Sequence, residues 1–221
     1  MGVMVRAMNR GLQFILGFSI FLLLGSPALA HPHVWVTVKF ELVYAQSGNL
    51  VAIRHHWAFD DMFSAFATEG LKGSDNGKFT SGDLAPLAKV NIESLKEYSY
   101  FTHISADGHA VAMSDPPPDY RAEFKDGILT LNFTVPLKTP LEAKEVHLEI
   151  YDPTFFVDFE MAKAAPVKLV NAPDGCKLNV QPSVGMTANQ SLSLGEQFFM
   201  ALNARSSFGE QFANRILARC P

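Results

Sequence analysis

The sequence predicts an α+β fold, a mostly antiparallel β-sheet or sandwich with a two-helix insertion after its first hairpin. Two observations predict it. Most apolar segments between residues 33 and 170 are short and bounded by turn residues, and the clearest of them alternate apolar and polar residues as half-buried strands do. Residues 59–98 instead place apolar side chains at helical spacing, which is typical of amphipathic helices packed on a sheet.

The first thirty residues have the three-part form of a secretory signal peptide. Residues 1–10 carry two arginines and no acid, residues 12–24 are almost wholly apolar, and residues 26–30 supply small side chains at the spacing that signal peptidase reads. The apolar run is shorter than the roughly twenty residues that a membrane-spanning helix needs. We therefore expect cleavage after Ala30, a periplasmic protein, and a single domain over residues 31–221.

Composition and motifs exclude several classes of function. The formal net charge of −4 opposes a nucleic-acid partner, which requires a basic surface. The chain contains no Gly-x-Ser-x-Gly, no phosphate-binding loop and no His-Glu-x-x-His. We therefore expect a binding protein and not an enzyme.

The two cysteines, Cys176 and Cys220, fit an exported protein. In an oxidising compartment an even pair predicts one disulfide, which here would tie the end of the chain to an earlier segment. A redox-active pair would more often be Cys-x-x-Cys, a spacing that these residues do not have.

The first predicted elements are two strands joined by a tight turn. Residues 33–44 alternate between two faces. The even-numbered residues from Val34 to Tyr44 share one face, and the odd-numbered residues from His33 to Glu41 share the other. A turn at residues 46–49 leads to a return strand over residues 50–59. Because the turn centres near Gly48, the numbers of directly opposite residues should sum to about 94–96.

Two helices are expected next. Asp60 is a suitable N-cap for a helix that continues to about Lys72. A second helix is expected from about Leu84 to Tyr98. Pro86 is tolerated only in a first helical turn, which predicts Asp83 as the cap of this helix.

The rest of the chain returns to strands. Asp107-Gly108 is a strong hairpin turn, and residues 115–119 form a stiff, proline-rich connector. Residues 194–204 look helical, while residues 212–220 suit a helix or an edge strand. The expected strands are 100–106, 109–113, 128–135, 146–151, 155–160 and 167–170.

The best candidate for chemistry is the pair His31 and His33. After cleavage behind Ala30, His31 would offer both its imidazole and a free α-amine to one metal ion. In an extended chain His33 lies on the same face, so the two imidazoles can share an ion. Pro32 excludes the amine-amide-amide-imidazole type of copper or nickel site, because it has no backbone N–H.

Further ligands follow from the hairpin register. It places Asp60 and Asp61 opposite the start of the first strand, whereas His55 and His56 should lie roughly 20 Å away along the strand. His103, beside the second hairpin, completes the candidate set. Mixed imidazole and carboxylate ligands suit zinc, nickel, cobalt or copper(II). The alternative is a solvated terminus without a ligand.

Residues 72–83 resemble a calcium-binding EF-hand loop, with Gly77 at the position of the turn glycine. Lys72 and Ser74, however, stand where the first two carboxylate ligands belong, and Asp83 is shorter than the usual bidentate glutamate. The loop therefore favours helix capping over calcium binding.

Several motifs, in order along the chain, resemble the family called domain of unknown function 1007. They are His31-Pro32-His33-Val34-Trp35, the segment 57–64, the EF-hand-like loop, Tyr100-Phe101-Thr102, the segment 151–156 and Cys176. That family is described as a periplasmic component of an uncharacterised ABC-type transport system whose members often accompany nickel/cobalt-type permeases. The resemblance implies a metal-handling role beside a membrane metal permease or ABC-type transporter.

Two hypotheses of different classes remain. In the first, the protein binds a divalent transition metal (nickel, cobalt, zinc or copper) and hands it to or takes it from a transporter. In the second, it is a metal-independent module that binds a small organic ligand or a membrane partner. A copper-brace oxidase built on His31 is weaker, because the hairpin brings no third histidine beside His31.

Overall fold

The first two strands form a long hairpin with the predicted register. The computed structural model describes residues 34–71, 78–115, 117–185 and 208–221. β1 (Val34–Tyr44) and β2 (Leu50–Phe59) pair antiparallel, and Lys39 lies opposite His56. The numbers of these paired residues sum to 95, within the expected range. Alternate residues of β1 are buried, as the period of two predicts.

Two helices follow β2 in the chain: α1 (Asp61–Thr68) and α2 (Ser81–Leu95). A 3₁₀ segment, Lys96–Phe101, continues from α2. The helices pack on the inner face of the first sheet, where Leu84, Ala88 and Ile92 of α2 are buried. No helix among the described residues is long and apolar enough to cross a membrane.

Together with β1 and β2, the remaining strands form two sheets. They are β3 (Thr102–Ala106), β4 (His109–Ala110), β5 (Asp119–Lys125), β6 (Ile128–Leu141), β7 (Glu145–Ile150), β8 (Val157–Met161), β9 (Val167–Val170), β10 (Lys177–Gln181) and β11 (Asn214–Arg219). The first sheet has the order β5-β6-β2-β1-β8, with β9 also paired to β1; the second has the order β10-β11-β7-β3-β4. All described residues belong to one compact unit, His31–Pro221. The predicted α+β class is confirmed.

β1 is the shared strand of the first sheet. One edge pairs with β2, and the other edge pairs in parallel with β8 along its first half and with β9 along its second half. The sheet is therefore mixed, because two short parallel strands lie end to end beside one long strand.

Several predicted boundaries are wrong. α1 ends at Thr68, before Lys72, and α2 begins at Ser81 with Thr80 as its cap, three residues before the predicted cap Asp83. Thr80 and Asp83 form a capping box: the Asp83 N–H donates to Thr80 Oγ1 at 3.3 Å, and the Thr80 N–H donates to Asp83 Oδ2 at 2.8 Å. The capping box supplies hydrogen-bond partners for the first turn and so stabilises a helix that begins at Ser81. Pro86 consequently lies inside the helix, beyond its first turn.

The C-terminal part of the chain also differs from the expectation. Residues 212–220 contain β11, which lies between β10 and β7 and is not an edge strand. β5 and β10 were not expected, although Asp126-Gly127 is a hairpin turn signal between β5 and β6. The helix predicted over residues 194–204 lies outside the described residues.

The disulfide between Cys176 and Cys220 is confirmed. It joins the residue before β10 to the residue after β11, with a sequence separation of 44. Closing a loop of this length stabilises the fold by about 4 kcal/mol in the chain-entropy description.

The core lies between the inner faces of the two sheets. Trp57 of β2 is at its centre, with ring centroids 5.0 Å from both Phe133 and Phe159 and 6.4 Å from Phe101. Leu148 and Ile216 of the second sheet belong to the same buried cluster. Burial of these faces against one another supplies the main driving force for folding.

His55 lies within this aromatic core and is 1% exposed. Its ring stacks on Phe133 at 4.5 Å and meets the edge of Phe40 at 5.4 Å. Neither ring nitrogen has a hydrogen-bond partner among the described residues. Burial lowers the pKa of His55 to about 3, so the folded protein holds this imidazole neutral.

This burial predicts a loss of stability in acid. Below pH 6.5 the unfolded chain binds a proton at His55 that the folded chain does not bind until about pH 3. The free energy of unfolding should therefore fall by up to about 1.4 kcal/mol per pH unit across that window from this residue alone. His55→Phe should flatten the pH dependence by about one proton, measured by urea unfolding at several pH values.

His109→Phe, the same substitution at an exposed histidine, is the matched control. If His55→Phe and the wild type lose stability equally between pH 6.5 and about pH 4, the buried neutral state is contradicted.

Candidate functional site

Asp60 fastens the start of β1 to the start of α1. Its Oδ2 accepts a hydrogen bond from the Trp35 N–H at 2.9 Å, and its Oδ1 accepts one from the Phe63 N–H at 2.7 Å. The Asp60 N–H donates in turn to the Trp35 carbonyl at 2.9 Å. The predicted N-cap is therefore confirmed. The two hydrogen bonds between Asp60 and Trp35 also extend the pairing of β1 with the end of β2 by one residue pair.

Asp61 is the more accessible of the two aspartates. It lies exposed in the first turn of α1, where a negative charge is favoured by the helix dipole. Its Oδ1 accepts a hydrogen bond from the adjacent Met62 N–H at 2.9 Å. Its other oxygen has no hydrogen bond to a described residue, so Asp61 can offer an oxygen ligand at this end of the hairpin.

The structure adds two acids that the sequence analysis missed. Asp158 and Glu160 of β8 pair with Trp35 and Thr37. Since Phe159 between them is buried in the core, the two carboxyl groups face the opposite, outer side of the first sheet. The alternation of acids with apolar residues in β8 was visible in the sequence, but its parallel pairing with β1 was not.

Asp158 has an unfavourable electrostatic environment. Partial burial and the neighbouring Glu160 raise the pKa of its carboxyl group above the ordinary value. Neither acid forms an ion pair within the part of the chain that the structure describes. A cation at this position would relieve the repulsion between the two carboxylates.

Of the predicted imidazole ligands, the described residues include only His103. His31 and His33 fall outside the described residues, which begin at Val34. His103 lies on β3 of the second sheet, whereas Asp60 and Asp61 follow β2 of the first. Its ring stacks on Tyr151 at 4.4 Å. Burial lowers the pKa of His103, opposed by the charges of Glu149 and Glu210.

Other described histidines have separate partners. His56 Nδ1 lies 2.6 Å from Asn132 Oδ1, and His147 Nε2 lies 2.7 Å from Glu145 Oε1. Over the described ranges, no group of three or more His, Cys, Asp or Glu side chains could hold a metal ion by itself.

The EF-hand-like loop is only partly described, because residues 72–77 lie outside the described ranges. Its last ligand position, Asp83, caps α2 together with Thr80. Thr80 hydrogen bonds lower the pKa of the Asp83 carboxyl group, which keeps it charged as a helix cap.

Comparison with known proteins gives the family. A family profile described as Protein of unknown function (DUF1007) matches residues 16–220. The chain belongs to this family. An uncharacterized 15.5 kDa protein in the trpE 3′ region of Spirochaeta aurantia is 38% identical over 119 residues, 53% of this chain and 81% of that protein. An uncharacterized protein of Haemophilus influenzae is 23% identical over 196 residues, 87% of this chain and 92% of that protein.

The double role of Asp60 predicts a large effect of its removal. Asp60→Ala deletes a helix cap and the clamp on Trp35 together, and should lower the free energy of unfolding by about 2 kcal/mol. Asp61→Ala, next to it, removes a first-turn charge and one exposed hydrogen bond to the Met62 N–H, and should cost about 0.5 kcal/mol. Urea unfolding of both variants measures the difference, and equal losses would contradict the clamp.

Proposed function

We propose that this protein is a periplasmic accessory protein that binds a divalent transition metal, nickel, cobalt, zinc or copper, for a membrane permease or ABC-type transporter. It carries the metal as cargo and is not an enzyme. The first ligands are His31 and His33, with Asp60 or Asp61 as a carboxylate ligand.

The observation that supports this proposal is the position of the acids around the start of β1. The Trp35 N–H donates a hydrogen bond to Asp60 on one side of β1, and Trp35 lies opposite Asp158 of the parallel strand β8 on the other side. His33 is two residues before Trp35, so chain connectivity keeps its Cα atom within about 7 Å of the Trp35 Cα atom. The carboxylates of Asp60 and Asp158 therefore lie near the point where the segment that carries His33 joins β1.

The donor chemistry fits a transition metal better than calcium. Asp60 uses both oxygens for backbone N–H groups, which leaves Asp61 and Asp158 as the more available carboxylates. One or two such oxygens together with imidazole nitrogens and an α-amine make a mixed nitrogen and oxygen site, which suits nickel, cobalt, zinc or copper(II). Calcium would require six to eight oxygen ligands.

The location and partner follow from separate observations. The signal-peptide pattern ending at Ala30 and the disulfide between Cys176 and Cys220 both suit the periplasm. The transporter partner comes from the family resemblance. If cleavage occurs one or more residues away from Ala30, the α-amine is no longer a ligand beside the His31 imidazole.

Calorimetry tests the metal site. Protein that begins at His31 should bind one of the four metals, and His31→Ala/His33→Ala should weaken binding by about tenfold or more. Affinity should also fall below about pH 6.5, where imidazoles are protonated. Asp61→Asn, Asp158→Asn and His103→Ala identify the remaining ligands, and His109→Ala is the matched control. Equal affinity in the double variant and the wild type, or binding in neither, would contradict the proposal.

An apolar cavity supports the second candidate function, a metal-independent binding module. It has a volume of about 470 Å³ and is lined chiefly by Val34, Trp57, Phe63, Tyr98, Phe101 and Phe156. This volume is within the range of small-molecule sites. Protein that is metal-free when purified and remains metal-free after loading favours this function over the first.

A further inference from the structure

A row of polar side chains crosses the outer face of the first sheet. Lys39 of β1 pairs with His56 of β2, His56 with Asn132 of β6, and Asn132 with Arg121 of β5. Their neighbours along the strands, such as Phe40 and Phe133, are buried in the core, so this row faces the other side of the sheet.

The row forms the floor of a cavity of about 310 Å³. Four bases and two acids line it, although the protein as a whole is acidic. They are Lys39, Arg54, Arg121 and Lys168, with Glu41 and Asp119. The cavity is therefore a local region of positive charge, which attracts anions.

Part of this positive charge is already neutralised. Arg54 forms an ion pair with Glu41, and the Arg121 Nε–H donates to Glu123 Oε1 at 2.9 Å. Lys39 and Lys168 are exposed and form no ion pair with any described residue. Among the described residues, these two ammonium groups are the unpaired positive charges of the cavity lining, against one unpaired acid, Asp119.

Hydrogen bonds of a buried amide join the side chains on the floor between the charges. Asn132 is 7% exposed, and its Oδ1 lies 2.6 Å from His56 Nδ1. An amide oxygen only accepts, so with this amide orientation His56 Nδ1 donates and the imidazole is fixed in place. Asn132 Nδ2 also lies 3.5 Å from Glu123 Oε1, so the buried amide holds both neighbours.

The spacing of the lysines indicates the ligand. Lys168 pairs with Glu41, which is two residues along β1 from Lys39 on the same face. With adjacent strands about 4.8 Å apart and a rise of about 3.3 Å per residue, such diagonal neighbours lie roughly 8 Å apart, a distance that two flexible lysine side chains can close around one molecule with two anionic groups. Ammonium groups form strong, charge-assisted hydrogen bonds with carboxylate and phosphate oxygens.

We propose that this cavity binds a small molecule with two or more oxyanion groups, held by Lys39 and Lys168. The site contains none of the proposed metal ligands, so it goes beyond the proposed function, and either proposal can fail without the other.

Calorimetry at low ionic strength on metal-stripped protein tests the site, with succinate as the carboxylate probe, pyrophosphate as the phosphate probe and acetate as the single-charge control. We expect saturable binding of succinate or pyrophosphate, stronger than that of acetate and weakened by added salt. The probe that binds more tightly identifies the source of the oxyanion groups.

Lys39→Ala/Lys168→Ala should weaken that binding by at least about tenfold, and Lys39→Arg/Lys168→Arg should largely retain it. Lys89→Ala/Lys125→Ala changes the net charge equally at lysines outside the cavity and should have little effect. Thermal unfolding checks that each variant folds. Equal affinity in Lys39→Ala/Lys168→Ala and the wild type, or no saturable binding of either probe up to about 10 mM, would overturn the proposal.

Discussion

The register of the β1–β2 hairpin is the constraint on which the other features of the structure depend. Side chains alternate between the faces of a strand, so a slip of one residue would exchange the two faces completely. In the observed register Phe40 and His55 enter the core together, and Lys39 and His56 lie together on the outer face. The bonds between Asp60 and Trp35 hold the open end of the hairpin, and the turn before β2 holds the other end.

The outer face of the first sheet consequently carries two regions of opposite charge along β1. Near its start are Asp60, Asp158 and Glu160, and near its middle are Lys39 and Lys168 with their arginine neighbours. The acids come from two parts of the chain, the end of β2 and β8, which meet because β8 lies parallel beside the first half of β1. Both proposed binding regions therefore use the same shared strand, although they use different residues and opposite chemistry.

The segment Tyr151–Phe156, which the family resemblance emphasises, has a structural explanation. Asp152 is 3% exposed, and its carboxylate accepts hydrogen bonds from the N–H groups of Thr154, Phe156 and Val157. This turn leads directly into β8. A Cβ atom on Gly209 would lie 1.7 Å from the Asp152 carbonyl oxygen, so only glycine allows the C-terminal segment to approach it. The turn positions β8, and with it Asp158, beside β1.

The sequence by itself determined the features that depend on neighbours along the chain. The alternation of apolar and polar residues predicted which face of β1 is buried, and the turn near Gly48 predicted the register of the hairpin. The acid before an amphipathic segment predicted the N-cap at Asp60. With only two cysteines, the disulfide had one possible pairing. Only the tertiary structure decided the parallel pairing of β8 and β9 with β1, the position of β11 between β10 and β7, the neutral burial of His55 and the cavity around Lys39. The physical reason is that local periodicity specifies which side of an element is buried, whereas the choice of a distant partner depends on how all the exposed strand edges and apolar faces are satisfied together.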